Sequence, residues 1–150
     1  MQKIVRCLAT FFYIGYLPKM PGTYASFIGI LIYFFIRNSF SAYLIVCALL
    51  AIIGFWTGTR AKKMFGEKDS RLIVIDEVCG MVLCFFLISA SFTKLLLGFA
   101  LFRIFDIIKP FPANIVQRLK GSPGIMGDDI IAALYTNLAL RVFMAVFGDF

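Results

Sequence analysis

The sequence contains no histidine and only eight acidic residues among its 150 positions. Histidine is the commonest metal-ligating side chain and the usual general base near neutral pH. Its absence restricts any catalysis to carboxylates, lysine, arginine and hydroxyl groups. Charged residues make up 15% of the chain, whereas a soluble domain has about a quarter. The scarcity of charge therefore argues against a soluble protein.

Cysteine occurs, but not in the patterns that build a metal site or a disulfide framework. No two cysteines form a CxxC pair, and three of them lie inside apolar runs. The four positions are Cys7, Cys47, Cys79 and Cys84. This spacing predicts buried free thiols and no zinc site.

Apolar residues are abundant. They make up 61% of the chain and include 18 phenylalanines. This composition predicts an integral membrane protein in which residues 1–150 form a single membrane-embedded domain. The formal net charge is +7, but the basic residues lie mostly between apolar runs. They are therefore expected to set membrane topology and contact anionic lipid, and binding to nucleic acid is not expected.

The apolar segments predict an all-α fold, a polytopic membrane bundle of about five helices. They lie near residues 24–36, 41–58, 72–92, 94–108 and 129–147. A spanning helix needs about 20 residues, so some of these helices must be short or tilted. A short interfacial helix at residues 4–16 is a further option.

Loop lengths and loop charges predict the topology. The short linkers at 37–39 and 89–94 favour antiparallel helical hairpins. The longer connections at 60–71 and 109–129 are rich in lysine and arginine. The positive-inside rule places both of them in the cytoplasm.

Five of the eight acids lie in three apolar-flanked places beside the predicted cytoplasmic loops. They are Asp76, Glu77, Asp106, Asp128 and Asp129. Each alone has a structural explanation as a helix cap or an ion-pair partner. Together they would repel one another unless a cation intervened, and an ionised group at membrane depth costs about 2.5–3.5 kcal/mol. Oxygen ligands without histidine or thiolate favour Mg²⁺ or Mn²⁺.

Basic residues and glycine loops accompany these acids. In FRIFDIIKPFP (102–112), Arg103, Asp106 and Lys109 share one helical face, so Asp106 could hold a metal while the two cations hold phosphate oxygens. The alternative is a charge pair that snorkels to the interface. The loops PKMPGTYAS (18–26) and KGSPGIMGDD (120–129) open apolar segments, and helix N-termini bind anions. Candidate phosphate contacts in these loops are Gly22, Thr23, Ser26 and Gly124.

A polar or small residue recurs at every fourth position of the last apolar segment. The four are Asp129, Ala133, Asn137 and Arg141. This stripe is expected to face the bundle interior. Arg141 lies about 18 Å beyond Asp129 at 1.5 Å per residue, so it is expected to reach the far interface.

Four stretches carry a family resemblance: LPKMPGT, IVIDEVCGM, FRIFDIIKPFP and GIMGDD, in that order between residues 17 and 129. With them the chain resembles the phosphatidylglycerophosphatase A family of bacterial membrane phosphatases. Two departures concern loop geometry. The family usually has Gly-Gly before x-Gly-Ile-Met, where this chain has Gly121-Ser122-Pro123-Gly124, and it often has glycine at the position of Ala25.

The resemblance implies Mg²⁺-dependent removal of the terminal phosphate of phosphatidylglycerol phosphate, at the cytoplasmic face of the bacterial inner membrane. It implies that all five acids are site residues and that Lys109, Thr23 and Arg103 contact phosphate. Our first assignment makes Asp129 the general base and Asp106 and Asp128 metal ligands. A carboxylate nucleophile remains an alternative.

Two other functions compete with this interpretation. A Mg²⁺-dependent phospholipid alcohol transferase would also use interfacial acids, but its DGxxAR signature is missing. A small cation transporter would place acids at the bilayer midplane, whereas these adjoin predicted cytoplasmic loops. The sequence does not determine the oligomeric state.

Overall fold

The computed structural model describes residues 1–66 and 70–148 of the chain, apart from the side chain of Ser70. These residues form seven α-helices and no strand, which confirms the all-α prediction. The helices are α1 (Gln2–Ala9), α2 (Pro21–Ile36), α3 (Phe40–Phe65), α4 (Ile75–Leu83), α5 (Phe92–Ile108), α6 (Ala113–Val116) and α7 (Ser122–Phe147).

Two of the described helices, α3 and α7, are long and apolar enough to cross a membrane. Each has 26 residues, which at 1.5 Å per residue gives a length of about 39 Å, against a hydrocarbon core of about 30 Å. Helix α2 is a shorter apolar helix of 16 residues. The count of five spanning helices remains a prediction.

The linker at residues 37–39 joins α2 to α3 as the sequence predicts. The Ser39 side chain accepts a hydrogen bond from the Ala42 amide and so caps the first turn of α3. Tyr33 and Tyr43 meet edge to face near this linker, with their ring centroids 6.3 Å apart. The two helices therefore form a hairpin that closes at the end opposite to the start of α2.

Helix α7 begins earlier than its predicted start at residue 129, because the glycine-rich loop supplies its first turns. Pro123 lies in the first turn, where a missing amide proton has no cost. The Ser122 amide donates to Thr59 Oγ1 at 2.8 Å, and the Ser122 hydroxyl donates to the Phe55 carbonyl at 2.6 Å. These bonds attach the start of α7 to α3. Asp128 and Asp129 are therefore in the second turn of α7 and do not cap it.

The predicted apolar span at residues 72–92 is wrong as a continuous helix. Within it, α4 covers only Ile75–Leu83, and residues 88–91 have no helical structure. Asn137 donates to the carbonyls of Cys84 and Phe86 at 2.8 and 3.0 Å, and Arg141 donates to Phe86 at 2.8 Å. Because α7 supplies these donors, the chain can leave the helix without orphaned carbonyls.

Helix α4 is the centre of the fold and packs against α2, α3 and α7. Val78, Cys79, Met81 and Val82 are fully or almost fully buried. The Val74 amide just before the helix bonds to the Ala9 carbonyl at 3.0 Å, which fixes where α4 begins. The first turn of α4 is thereby held inside the bundle at one end.

The predicted interfacial helix at 4–16 is shorter in the structure, where α1 ends at Ala9 and a 3₁₀ turn follows at Ile14–Tyr16.

Candidate active site

Two helix segments bring three carboxylates into one cluster. Asp76 and Glu77 occupy the first turn of α4, and Asp129 comes from the second turn of α7. One carboxylate oxygen from each residue lies within 4.8 Å of the other two. The cluster exists because α4 packs directly against α7. These residues are 53 positions apart in the chain, from Asp76 to Asp129.

The other two predicted acids are paired with basic residues beside this cluster. Lys109 donates a hydrogen bond to Asp128 Oδ2, and its ammonium nitrogen lies 3.6 Å from Asp106 Oδ1. Arg103 Nη1 lies 2.9 Å from Asp106 Oδ2. The i,i+3 spacing of Arg103, Asp106 and Lys109 therefore produces the shared face that the sequence predicts. Asp106 also lies beside Asp129, which connects the ion pairs to the cluster.

Lys109 is held by an unusual backbone position at the end of α5. It has a φ of 49°, in the left-handed region, and its amide bonds to the Phe105 carbonyl at 2.8 Å. Burial alone lowers the pKa of Lys109, but the hydrogen bond to Asp128 and the nearby carboxylates raise that pKa above its usual value on balance. The ammonium group therefore stays charged at neutral pH.

Several oxygens of the acids are buried without a hydrogen-bond partner among residues 1–66 and 70–148. They are Asp76 Oδ1, Glu77 Oε2, Asp128 Oδ1 and Asp129 Oδ2. Such oxygens are rare in folded proteins because each costs about 1–3 kcal/mol, and more when it is charged. Asp128 and Asp129 are only 6% and 3% exposed. Full ionisation of these buried carboxylates is therefore strongly unfavourable unless a proton or a cation neutralises part of their charge.

The pKa values of the two acids on α4 move in the same direction. Burial, together with the charges of Glu77 and Asp129, raises the pKa of Asp76 well above its usual value. Burial also raises the pKa of Glu77, although a hydrogen bond with Asp76 opposes that rise. A divalent cation would remove the repulsion and allow all three carboxylates of the cluster to ionise. The unpartnered oxygens and the all-oxygen donor set thus fit Mg²⁺.

All five acids line one cavity of about 290 Å³. Its other polar lining residues are Lys62, Arg71, Lys109 and Gln117. Sequence reasoning assigned Lys62 and Arg71 only to membrane topology and did not single out Gln117. The signal was present in the basic character of the 60–71 stretch, but only the folded chain shows that Lys62 and Arg71 lie in one cavity with the acids.

The start of α2 forms the wall beside Glu77. A Cβ placed on Gly22 would collide with Glu77 Oε1 and would lie 3.3 Å from Arg103 Nη1. Thr23, the next residue, has a buried hydroxyl oxygen with no hydrogen-bond partner in the described part of the chain. The structure thus brings Gly22 and Arg103 to the edge of the cluster, and Thr23 next to Gly22.

Ser26 and Gly124 have different surroundings from those predicted. The Ser26 hydroxyl donates to the Gly22 carbonyl at 2.9 Å, so its proton is used within α2. A phosphate contact through that proton is therefore not supported. Gly124 lines the cavity, but a Cβ there would collide with the Leu119 carbonyl oxygen. Its small size serves the close packing of the α6–α7 loop on α7.

Comparison with known proteins gives a family and curated relatives. The family model described as Phosphatidylglycerophosphatase A matches residues 7–144. A Haemophilus influenzae protein named Phosphatidylglycerophosphatase A is 34% identical over 91% of this chain and 86% of its own length. The Escherichia coli protein of the same name is 32% identical, over 85% of this chain and 76% of its own.

A third relative carries a different name. It is a Bacteroides thetaiotaomicron protein named as a candidate phosphatidylinositol-3-phosphatase, and it is 33% identical over 94% of both chains. No solved structure gives a significant match to this chain. The family model covers nearly all of the described residues and every acid of the site, and this chain belongs to the phosphatidylglycerophosphatase A family.

Proposed function

We propose that this protein removes the terminal phosphate of phosphatidylglycerol phosphate and releases phosphatidylglycerol and inorganic phosphate. The observation that carries the proposal is the convergence of five carboxylates with Lys109 in one cavity, with Arg103 at its edge. A phosphate monoester dianion needs charge neutralisation and positioning more than covalent help. The family and two of the relatives carry this activity in their names.

Mg²⁺ is the proposed cofactor. Asp76, Glu77 and Asp129 would hold it, because their oxygens are mutually close and include buried atoms without partners among the described residues. When bound, the ion supplies charge neutralisation and Lewis-acid polarisation of the phosphoryl group. Asp106 is paired with Arg103, and Asp128 is paired with Lys109. We therefore assign these two acids as metal ligands only after the three clustered acids.

The protein's own side chains position the substrate and move its protons. Lys109 and Arg103 bind the non-bridging phosphate oxygens as point charge and planar donor, respectively. A carboxylate of the site accepts the proton of the attacking water as the new P–O bond forms. Asp129 is the first choice, through the one of its two oxygens that would not hold the cation. The bond between phosphorus and the glycerol oxygen breaks, and that oxygen takes up the proton that the carboxylate accepted. Attack by a carboxylate through an acyl phosphate is the alternative.

The proposed location is the bacterial inner membrane, with several membrane spans and the site facing the cytoplasm. Lys62 and Arg71 support this orientation because they lie at the same end of the bundle as the acids. Cytoplasmic ends of membrane proteins are rich in such residues. The whole chain would then act as one membrane-embedded phosphatase domain, and the phospholipid substrate would be its partner in the inner leaflet.

Phosphate release by the purified protein in detergent tests this proposal. We expect activity on phosphatidylglycerol phosphate that chelation abolishes and added Mg²⁺ restores. Parallel assays with phosphatidic acid and phosphatidylinositol 3-phosphate decide the headgroup, because one relative is named for the latter. A protein that releases no phosphate from phosphatidylglycerol phosphate, or releases it equally well in chelator, overturns the proposal.

A further inference from the structure

An apolar groove runs along α2 and α5 on the outside of the bundle. It encloses about 250 Å³. Its walls are entirely apolar and comprise Phe27, Ile30, Phe92, Leu95, Leu96 and Phe99. Four other cavities differ in character, because each includes at least one polar or charged residue in its lining.

The groove lies on the same faces of α2 and α5 as residues that border the candidate active site. On α2, Phe27 and Ile30 follow Thr23 by four and seven residues, so they lie on the same face. On α5, Phe99 and Leu96 precede Arg103 by four and seven residues, again on one face. The two helices meet at the site itself, where Gly22 lies against Arg103. These two helix faces are thus polar beside the site, at Thr23 and Arg103, and apolar along the groove.

The distance from the site to the far end of the groove matches one leaflet. From Arg103 to Phe92 is a distance of about 16 Å along α5, at 1.5 Å per residue. Half of a hydrocarbon core of about 30 Å is about 15 Å. A lipid whose phosphate lies beside Arg103 would therefore have its acyl chains at the depth of Phe99, Leu96 and Phe92.

Resting on the proposed function, we infer that this groove holds an acyl chain of the phospholipid substrate. The substrate then enters the site sideways from the bilayer, between α2 and α5. A chain that moves from bilayer to groove exchanges one apolar environment for another, so little hydrophobic free energy is gained. The groove instead orients the lipid, so that its terminal phosphate points at the acid cluster.

Two substitutions of leucine by tryptophan test this inference. Leu96→Trp fills the groove, and Leu138→Trp is its control on α7, outside the groove. Leu96 and Leu138 are 60% and 59% exposed, so both substitutions add similar bulk to an outer surface. We expect Leu96→Trp to lower kcat/KM for dioleoyl phosphatidylglycerol phosphate five- to tenfold, and Leu138→Trp to change it less than twofold. Equal effects of the two substitutions would overturn the inference.

The deacylated headgroup, glycerophosphoglycerol phosphate, separates chain binding from damage to the site. Both variants should release phosphate from it at the wild-type rate. An equal loss in Leu96→Trp on lipid and headgroup would overturn the inference, since the substitution would then act on the site. Failure of the wild type on both compounds would instead reject the proposed function.

Photolabelling provides a readout that does not depend on turnover. Phosphatidylglycerol phosphate with a diazirine on one acyl chain should label peptides from 21–36 and 92–108 in the wild type. Excess unlabelled phosphatidylglycerol phosphate should compete, whereas phosphatidylcholine should not. Leu96→Trp should reduce this labelling at least threefold and Leu138→Trp should not. Labelling spread evenly over all outer helices, or a groove left unlabelled because a second copy covers it, would overturn the inference.

Discussion

The ammonium group of Lys109 donates a hydrogen bond to Oδ2 of Asp128, which lies 19 residues further along the chain. Lys109 has left-handed backbone geometry at the end of α5, and Asp128 is in the second turn of α7. The pair therefore connects two helices across the mouth of the candidate active site. It also holds a positive charge beside the acid cluster, where a phosphate group would need one.

Replacing both members of this pair should show strong coupling. We expect Lys109→Met and Asp128→Asn each to lower kcat/KM for phosphate release at least 30-fold. Lys109→Met leaves the Asp128 carboxylate buried without the ammonium group that it accepts from, and Asp128→Asn removes the carboxylate that positions Lys109. The double variant should be less impaired than the product of the two effects predicts, by about 1–3 kcal/mol of interaction energy. Phosphate-release kinetics of the four proteins give this value.

Lys120→Met is the control for this cycle, since Lys120 is an exposed lysine in the same connection between α5 and α7. It should retain activity within twofold of the wild type. If Lys109→Met and Lys120→Met were equally active, Lys109 would have no part in the reaction.

A second prediction concerns the repulsion within the acid cluster. Asp129→Asn removes one of three mutually close buried carboxylates. In chelator, the variant should unfold at the same temperature as the wild type or higher, because a repelling charge has been lost. Addition of Mg²⁺ should raise the unfolding temperature substantially in the wild type only, since ligand binding stabilises the folded state by mass action. Thermal unfolding in detergent with and without Mg²⁺ measures both effects.

Phosphate release should fall by two or more orders of magnitude in Asp129→Asn and in Asp106→Asn. Every acid in the described part of the chain lies in this site. Those residues therefore include no aspartate outside the site that could serve as a matched Asp→Asn control. A titration with NaCl at equal ionic strength therefore serves as the control for the Mg²⁺ effect. Full activity in both variants, at normal yield, would mean that these carboxylates are not the catalytic groups.

The sequence predicts the parts of the fold that depend on neighbouring residues. The apolar run at 94–108 placed α5 within two residues of its observed start, and Lys109 and Pro110 mark its end. Spacing also placed Arg103, Asp106 and Lys109 on one helical face. The convergence of Asp76 and Glu77 with Asp129 was expected because all three adjoin predicted cytoplasmic loops, and the structure brings these three together. Their catalytic and metal-binding roles stay predictions.

Features that depend on distant residues could not be predicted in this way. Residues 84–91 are apolar enough to continue α4, but donors from α7 satisfy carbonyls beyond its end. No residue within 84–91 indicates that donors from another helix will satisfy these carbonyls. The early start of α7 is similar, because Ser122 and Thr59 stabilise it across 63 residues. The approach of Lys62 and Arg71 to the acids likewise follows from tertiary packing alone.

A third prediction tests the close approach between α2 and α4. Gly22→Ala would place a methyl group on Glu77 Oε1 and force that carboxylate to move. Alanine is the better helix former, so the fold should not be weakened. We therefore expect an unchanged unfolding temperature in chelator, at least tenfold lower kcat/KM, and a higher Mg²⁺ concentration for half-maximal activity. Tyr24→Ala, at an exposed position two residues further along α2, should leave all three quantities near wild type. Normal Mg²⁺ dependence in Gly22→Ala would show that Glu77 does not need its observed position.

The last prediction concerns the non-helical chain after α4. Asn137→Leu removes the amide that donates to the carbonyls of Cys84 and Phe86. Arg141 still donates to the Phe86 carbonyl, so the Cys84 carbonyl is the one that loses its donor. This loss should lower the free energy of unfolding by about 1–3 kcal/mol, with the lower end expected in a membrane protein. Asn137 is about 12 Å along α7 from Asp129 at 1.5 Å per residue, so kcat well below the unfolding temperature should change less than threefold. Thermal unfolding in detergent and phosphate release at low temperature measure the two effects. Asn38→Leu, the same change at an exposed loop position, is the matched control and should unfold with the wild type. If both variants unfolded at the wild-type temperature, the α7 amide would not be what allows the chain to leave the helix here.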